Sequence, residues 1–99
     1  MKWRVEFSDL ALKALASMKG HRKVVLDGIK THLVENDPSE VTRNKFPLRR
    51  PSVHAERELR LDMWRVFYSL HDNSDLVLVN LIGEKRKNKL FICGEEFEL

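Results

Sequence analysis

The most constraining feature of this 99-residue sequence is a succession of three strand patterns between residues 56 and 82. Residues 56–61 and 64–70 alternate in polarity, as half-buried strands do, and residues 76–82 are almost entirely apolar, as a central strand is. Only short polar hinges separate the three segments. Strands joined by such short turns pair antiparallel. The pattern therefore predicts a meander that forms most of one antiparallel sheet.

A strand and two helices are predicted ahead of this meander. Residues 2–8 alternate, residues 10–18 have helical spacing, and a second helix is predicted from residue 21 to about residue 35. Gly28 inside the second helix suggests close packing against a neighbouring element. The predicted fold class is α+β, with two N-terminal helices packed on one face of the sheet in the order β-α-α-β-β-β. Because the chain is shorter than a typical domain of about 150 residues, residues 1–99 are predicted to form a single domain.

Several function classes are disfavoured by what the sequence lacks. No apolar run approaches the roughly 20 residues of a membrane span, and the first residues do not resemble a signal peptide. A single cysteine cannot form an internal disulfide, which favours a reduced, cytoplasmic setting, and Cys93 is expected to be a small buried hydrophobe. The four histidines are scattered without metal-ligand spacing, and His32 is expected at the core or its boundary. We therefore expect no metal, no cofactor and no membrane partner.

Positive charge is concentrated in two segments of the sequence. Residues 43–65 carry seven basic and three acidic side chains, and residues 84–94 carry four basic and one acidic. All three prolines lie in residues 37–54, which are predicted to be an irregular connection whose length suggests a function. If the fold joins the two basic segments, they would focus a positive potential on phosphates. The alternative is a solvated basic face without a partner.

Arg65 is the sharpest single candidate in these segments. It alternates with Trp64 and Val66, so its side chain is predicted to leave the sheet on the opposite face. The alternative for Arg65 is a cross-strand pair with a carboxylate such as Glu58. The acidic last five residues, Glu95–Leu99, could fold back over the basic turn or dock through their two large apolar side chains, and we expect them to pack in an ordered way.

Residues 59–68, Leu-Arg-Leu-Asp-Met-Trp-Arg-Val-Phe-Tyr, resemble the Leu-Arg-x-x-x-aromatic-Arg-Val-x-Tyr hairpin of the RelE/ParE superfamily of bacterial toxins. Residues 5–8 and the helix after them look like the first strand and helix of that family. Residues 47–49 are similar to its Pro-Leu-Arg-Gly loop, with Arg50 in place of glycine, and residues 79–86 resemble its last strand and Gly-x-Arg/Lys turn. The resemblance covers residues 2–91 in unbroken order.

The resemblance implies a toxin of a type II toxin–antitoxin pair. In the RelE branch such toxins are endoribonucleases (mRNA interferases) that cut mRNA in the ribosomal A site without a metal, and in the ParE branch they poison DNA gyrase. A catalytically inactive relative that only binds its antitoxin is the third alternative. The implied partners are a cognate antitoxin protein and, in the RelE branch, mRNA on the ribosome with contacts to 16S rRNA.

The resemblance also implies roles for individual residues. Arg65 matches the hairpin arginine that RelE-like enzymes use at the scissile phosphate, Lys85 falls where they place another catalytic arginine, and Arg49 matches a loop arginine of the same cleft. Preformed cations of this kind stabilise the extra negative charge of the transition state, although lysine lacks the bidentate geometry of arginine. Glu58 and His54 are candidate general bases. Candidate RNA-binding residues are Arg50, Arg60, Arg86, Lys87 and Lys89.

Two departures from the RelE pattern keep the alternatives open. Phe91 stands where RelE has a tyrosine for proton transfer, and a phenylalanine cannot transfer a proton. Glu56 and Glu58 stand where RelE has two lysines, which reverses the charge of that strand.

Overall fold

The computed structural model describes residues 3–50 and 52–99, and its elements follow the predicted chain order with three short strands added. The regular elements are β1 (Arg4–Phe7), α1 (Asp9–Ser17), α2 (Arg22–Ile29), β2 (Lys45–Pro47), β3 (Arg57–Leu61), β4 (Trp64–His71), β5 (Leu76–Arg86), β6 (Lys89–Ile92) and β7 (Glu95–Glu96). Short 3₁₀ turns cover Lys19–His21 and Asp72–Ser74. A π-helical turn over Lys30–Val34 continues α2, so the helical segment ends close to the predicted residue 35.

The strands form one sheet in the order β2-β3-β4-β5-β6-β7, and these neighbours pair antiparallel. The predicted α+β class is thus confirmed. One pair departs from a purely antiparallel sheet, because β1 pairs with the first half of β5 in parallel. A parallel pair requires a long crossover, and the helices with the first part of the meander provide it.

A β-bulge in β5 reverses which of its side chains face the helices. Tyr68 of β4 lies opposite Val79, whereas the residue before it lies opposite Leu81, so Asn80 is the extra residue of β5. The helix-side core takes Val79 before the bulge, but Leu81 after it belongs to the cluster on the other face. Alternation from Leu81 then carries Lys85 to that same outer face.

The main core lies between the two helices and one face of the sheet. Buried side chains of both helices pack there against β3, β4 and β5 in a single apolar cluster. Gly28 confirms the close packing expected of it, because a Cβ built there would lie 2.5 Å from Cδ1 of Leu61. The helices therefore leave the opposite face of the sheet uncovered, and a smaller cluster forms on it from Ala55, Phe67, Leu81, Leu90 and Ile92, with Leu48 and Phe97 packed alongside.

The connection after the helices is fastened by a buried lysine. The Lys45 side chain is only 1% exposed, and its ammonium donates to the carbonyl oxygens of His32 and Asp37, 2.7 Å from each. Burial lowers the pKa of Lys45, and the carboxylates of Glu40 and Asp37 oppose that shift. Lys45 begins β2, so this strand is an ordered exception in a segment that was predicted to be irregular.

Two local expectations have different outcomes. His32 is half-buried at the boundary of the core, as expected. The expectation for Cys93 is wrong, because its side chain is exposed. Cys93 has a φ of 53° and, with Gly94 at 83°, forms the turn between β6 and β7, which takes it out of the strand alternation.

None of the helices in residues 3–50 and 52–99 is long and apolar enough to cross a membrane.

Candidate functional site

A pocket of about 340 Å³ lies on the face of the sheet that the helices leave uncovered. We call it the cationic pocket, because Arg65, Lys85 and Lys89 line it together with Glu58. Its apolar floor includes Phe67 and Leu90 of the smaller cluster, and its remaining lining residues are Leu48, Asn88, Glu96, Phe97, Glu98 and Leu99.

Strand register brings Arg65 and Lys85 to the same pocket. Arg65 of β4 pairs with Gly83 of β5, and Lys85 lies two residues further along β5, on the same face. Gly83 also lets β6 approach, since a Cβ there would lie 2.8 Å from both Leu90 Cδ1 and the Phe91 carbonyl oxygen. The sequence prediction that these two cations converge is consistent with this geometry, in which both line one concavity.

Arg65 is held close to the protein surface rather than extended into solvent. Its side chain is 14% exposed, and Nη1 donates to the carbonyl oxygens of Asp62 and Trp64. Nε lies 3.5 Å from Glu58 Oε2 and makes no hydrogen bond. Burial and then the charge of Arg60 lower the pKa of Arg65, and Glu58 and Asp62 oppose the shift. None of these contacts uses Nη2.

Glu58 lines the pocket, and its carboxylate contacts two arginines. Its Oε2 accepts a hydrogen bond from Arg60 Nε at 3.0 Å and lies near Arg65 Nε, and its side chain is 12% exposed. The cross-strand pair that was the alternative for Arg65 is therefore present. Glu58 is therefore largely buried and contacts the guanidinium groups of both Arg60 and Arg65.

An open groove of about 690 Å³ continues from the cationic pocket toward β2, and Glu58 and Leu48 line both. Arg49 and Arg60 line this groove, and the Arg60 guanidinium lies 4.9 Å from the centre of the Phe46 ring. Arg49, predicted to belong to the same cleft as Arg65, thus lines the adjoining groove and not the pocket that Arg65 lines.

Three other predicted residues do not line the pocket. Arg50 and Lys87 are exposed, Lys87 in the turn between β5 and β6. His54 contacts the pocket indirectly, since its ring meets the edge of the Phe97 ring at a centroid distance of 5.1 Å.

Arg86 lies on the opposite face of the sheet from Arg65, and so does Phe91. The Arg86 guanidinium stacks over the Phe91 ring at 4.3 Å, and its Nε lies 3.1 Å from Glu84. Both residues line a separate pocket on the helix side, beside His21. Since strand alternation decides the face, a tyrosine at position 91 would not reach the cationic pocket either.

The sequence reasoning missed Phe97 as the aromatic side chain of the pocket. The five-residue segment Glu95–Leu99, here called the acidic segment, packs in the ordered way that was expected. Its β7 pairs with β6, and the Phe97 amide donates to the Leu90 carbonyl oxygen at 2.8 Å. The apolar side chains of this segment predicted that it docks, but not on which surface.

Across the part of the chain that the structure describes, no three His, Cys, Asp or Glu side chains are grouped so that they could hold a metal ion.

Comparisons with known proteins identify the fold. No protein-family model and no curated protein matches the chain. Among solved structures, the chain is similar to a chain of the RelBE2 toxin–antitoxin complex from Mycobacterium tuberculosis, with a TM-score of 0.70 and 19% identity over 86% of this chain and 93% of that one. It is also similar to a chain of the archaeal RelE–RelB complex from Pyrococcus horikoshii, with a TM-score of 0.64 and 22% identity over 85% and 96%. The chain therefore has a RelE-like fold, as the sequence motifs predicted.

Proposed function

We propose that this chain is a RelE-like toxin of a type II toxin–antitoxin system and that it cuts mRNA on the ribosome in the cytoplasm. The observation that carries the proposal is that Arg65 and Lys85 line the same pocket, on the uncovered face of a RelE-like sheet. The two solved structures to which the chain is similar are toxin–antitoxin complexes, which supports an antitoxin as the protein partner of this chain.

The proposed chemistry is cleavage by the 2′-hydroxyl of the RNA itself. The 2′-oxygen forms a bond to phosphorus, the bond to the 5′-oxygen breaks, and the products are a 2′,3′-cyclic phosphate and a 5′-hydroxyl. Negative charge on the phosphorane rises along this path, and fixed cations stabilise it. Arg65 and Lys85 supply those cations, and Arg65 is preorganised by its two carbonyl contacts.

Glu58 is assigned to accept the proton of the 2′-hydroxyl. Both of its contacts with arginines use Oε2, which leaves Oε1 as the acceptor. The departing 5′-oxygen takes its proton from water, since the pocket aromatic is Phe97 and has no hydroxyl. His54 lies behind the Phe97 ring, so we assign it no step in the reaction.

The test is a translation reaction with purified chain in which the ends of the mRNA are mapped. Wild-type protein is expected to produce cuts at A-site codons, and Arg65→Ala to reduce the cutting rate by about 10²–10³-fold, as loss of one charge-stabilising donor does. The matched control is Arg4→Ala, because Arg4 is an exposed arginine on β1 that pairs only weakly with Glu6 at 3.9 Å. Cutting that is unchanged in Arg65→Ala would refute the role of Arg65.

A second candidate is a ParE-like toxin that inhibits DNA gyrase by binding it. The observation that favours it is the ion pair between Arg65 and Glu58, which occupies part of the guanidinium, together with a pocket aromatic that cannot transfer a proton. In this case the message stays intact in the translation reaction and gyrase-dependent DNA breaks accumulate.

A further inference from the structure

Acidic side chains of this chain line the cationic pocket, and they carry the same negative charge as a nucleic acid. Glu96 and Glu98 of the acidic segment line it beside the three cations. Together with Glu58 they give three side-chain carboxylates against three cationic side chains, so the formal side-chain charges of the described lining residues cancel. Without Glu96 and Glu98 the side chains of the same lining carry a net charge of +2.

The acidic segment is attached by the Phe97 side chain and by a short strand. The Phe97 ring packs against the smaller apolar cluster, and its amide is bonded to the Leu90 carbonyl oxygen. The ion pair between Lys89 and Glu96 spans 3.7 Å with 62% and 52% of the two side chains exposed, and exposed pairs of this kind contribute little. β7 is only two residues long and lies at the edge of the sheet. Such short edge elements open locally at a small fraction of the global unfolding free energy.

We propose that the acidic segment competes with ligands for the cationic pocket. A ligand that carries several phosphates must displace this segment before it binds there. The inference deepens the proposed function by naming the regulation of the same site, and its biological meaning rests on that function. Glu96 and Glu98 place carboxylates where phosphates would approach Arg65, Lys85 and Lys89. In the closed state these carboxylates neutralise the pocket, and in the open state the cations are available.

The consequence is a lower apparent affinity for polyanions. When only a fraction of molecules is open, the apparent dissociation constant rises by the inverse of that fraction. An open fraction of about one in ten would weaken binding about tenfold relative to a chain without the competing carboxylates.

The experiment measures binding of inorganic polyphosphate by calorimetry, because this probe carries phosphate charge and requires neither a ribosome nor cleavage. The test variant is Glu96→Gln with Glu98→Gln, which keeps the Phe97 anchor and therefore the fold. The matched control is Asp27→Asn with Glu35→Gln, which removes the same charge from two exposed positions, one in α2 and one directly after the π-helical turn. The test variant is expected to bind polyphosphate about tenfold more tightly than wild type, and the control to change affinity by less than about twofold.

A second measurement follows the segment itself in the wild-type chain. The Phe97 amide is protected by its bond to Leu90, and hydrogen exchange at this amide is expected to accelerate when polyphosphate is added. Unchanged exchange at saturating polyphosphate would overturn the inference. So would equal tightening in the test and control variants, which would reduce the effect to net charge.

The outcomes separate this inference from the proposed function. If the test variant binds polyphosphate more tightly but neither it nor wild type cuts mRNA, the inference stands and the proposed function fails. If wild type cuts mRNA and polyphosphate affinity is the same in wild type and the test variant, the proposed function stands and the inference fails.

Discussion

Arg65 is positioned by the hairpin on which it lies. The carbonyl oxygens of Asp62 and Trp64 hold Nη1, so the side chain reaches over the β3–β4 turn instead of sampling the rotamers of a free surface arginine. An arginine fixed in this way loses less conformational entropy when it meets a phosphate. The same contacts explain its burial, and the positive φ of 58° at Asp62 shapes the turn that presents the first of these carbonyls.

Lys85 differs from Arg65 in lacking a planar fork, and this difference gives a testable expectation. We expect Lys85→Arg to raise the mRNA cutting rate several-fold, because a guanidinium can bind two phosphate oxygens at once. Lys85→Ala is expected to lower it by about 10²–10³-fold. The measurement is the single-turnover rate on programmed ribosomes. Lys23→Ala, an exposed lysine of α2, is the control, and a rate in Lys85→Ala equal to that control would contradict the assignment.

His32 predicts how stability depends on pH. Burial and then the charge of Lys45 lower the pKa of His32 from its usual 6.5, so the unfolded chain takes up the proton before the folded chain does. Protonation therefore favours unfolding, and the free energy of unfolding is expected to fall as the pH drops from about 7.5 to about 5. His32→Gln should show a shallower fall over that range in urea titrations. A variant with the same pH slope as wild type would show that His32 does not contribute.

At the scale of elements, the contact between α2 and β3 depends on a missing side chain. A Cβ at Gly28 would lie 2.5 and 2.7 Å from the two methyl carbons of Leu61. Gly28→Ala gains about 1 kcal/mol of helix propensity, but overpacking of a filled core costs about 1–3 kcal/mol, so we expect a net loss of up to about 2 kcal/mol.

The cause of that loss can be isolated with a second substitution. In a Leu61→Ala background the clash is removed, and Gly28→Ala is expected to become stabilising through helix propensity alone. Denaturant midpoints of the four proteins in this cycle provide the measurement. A loss of equal size in both backgrounds would show that Leu61 is not the obstacle.

Sequence patterns predict the longer strands of this fold better than its shortest strands and its β-bulge. The period-two alternation of residues 56–70 predicts β3 and β4 directly, because both strands have one buried face. β2 and β7 span three and two residues, which is too short for any periodicity to be read. The bulge falls on Asn80, the one polar residue of residues 76–82, but the shift in alternation cannot be read there because the run is apolar on both faces.

The sequence likewise predicts some residues of the candidate site and misses others. The hairpin motif points to Arg65 as a candidate and the turn motif to Lys85, but the face on which each neighbouring cation lies depends on register. Arg86 follows Lys85 directly and therefore faces the helices, although the sequence groups it with the other basic residues. The contribution of Phe97 depends on a contact between the acidic segment and β6, which no short-range pattern encodes.

For the molecule as a whole, the sheet divides the basic residues between two surfaces. Arg60 lies on the uncovered face, in the groove that continues from the cationic pocket, whereas Arg86 lies on the helix side against Glu84 and Phe91. Net charge alone would make the two arginines equivalent. If RNA is bound by the uncovered face, only one of them contributes a phosphate contact.

This division predicts opposite outcomes for two chemically identical substitutions. Arg60→Gln is expected to weaken binding of a short single-stranded RNA and to reduce the slope of log K against log salt by about 0.7, the value for one phosphate contact. Arg86→Gln removes the same charge and is expected to leave that slope unchanged, because its guanidinium is on the other side of the sheet. Fluorescence anisotropy at several salt concentrations measures both. Equal slopes in the two variants would mean that the RNA responds to the net charge of the molecule, and a larger effect of Arg86→Gln would move the interface to the helix side.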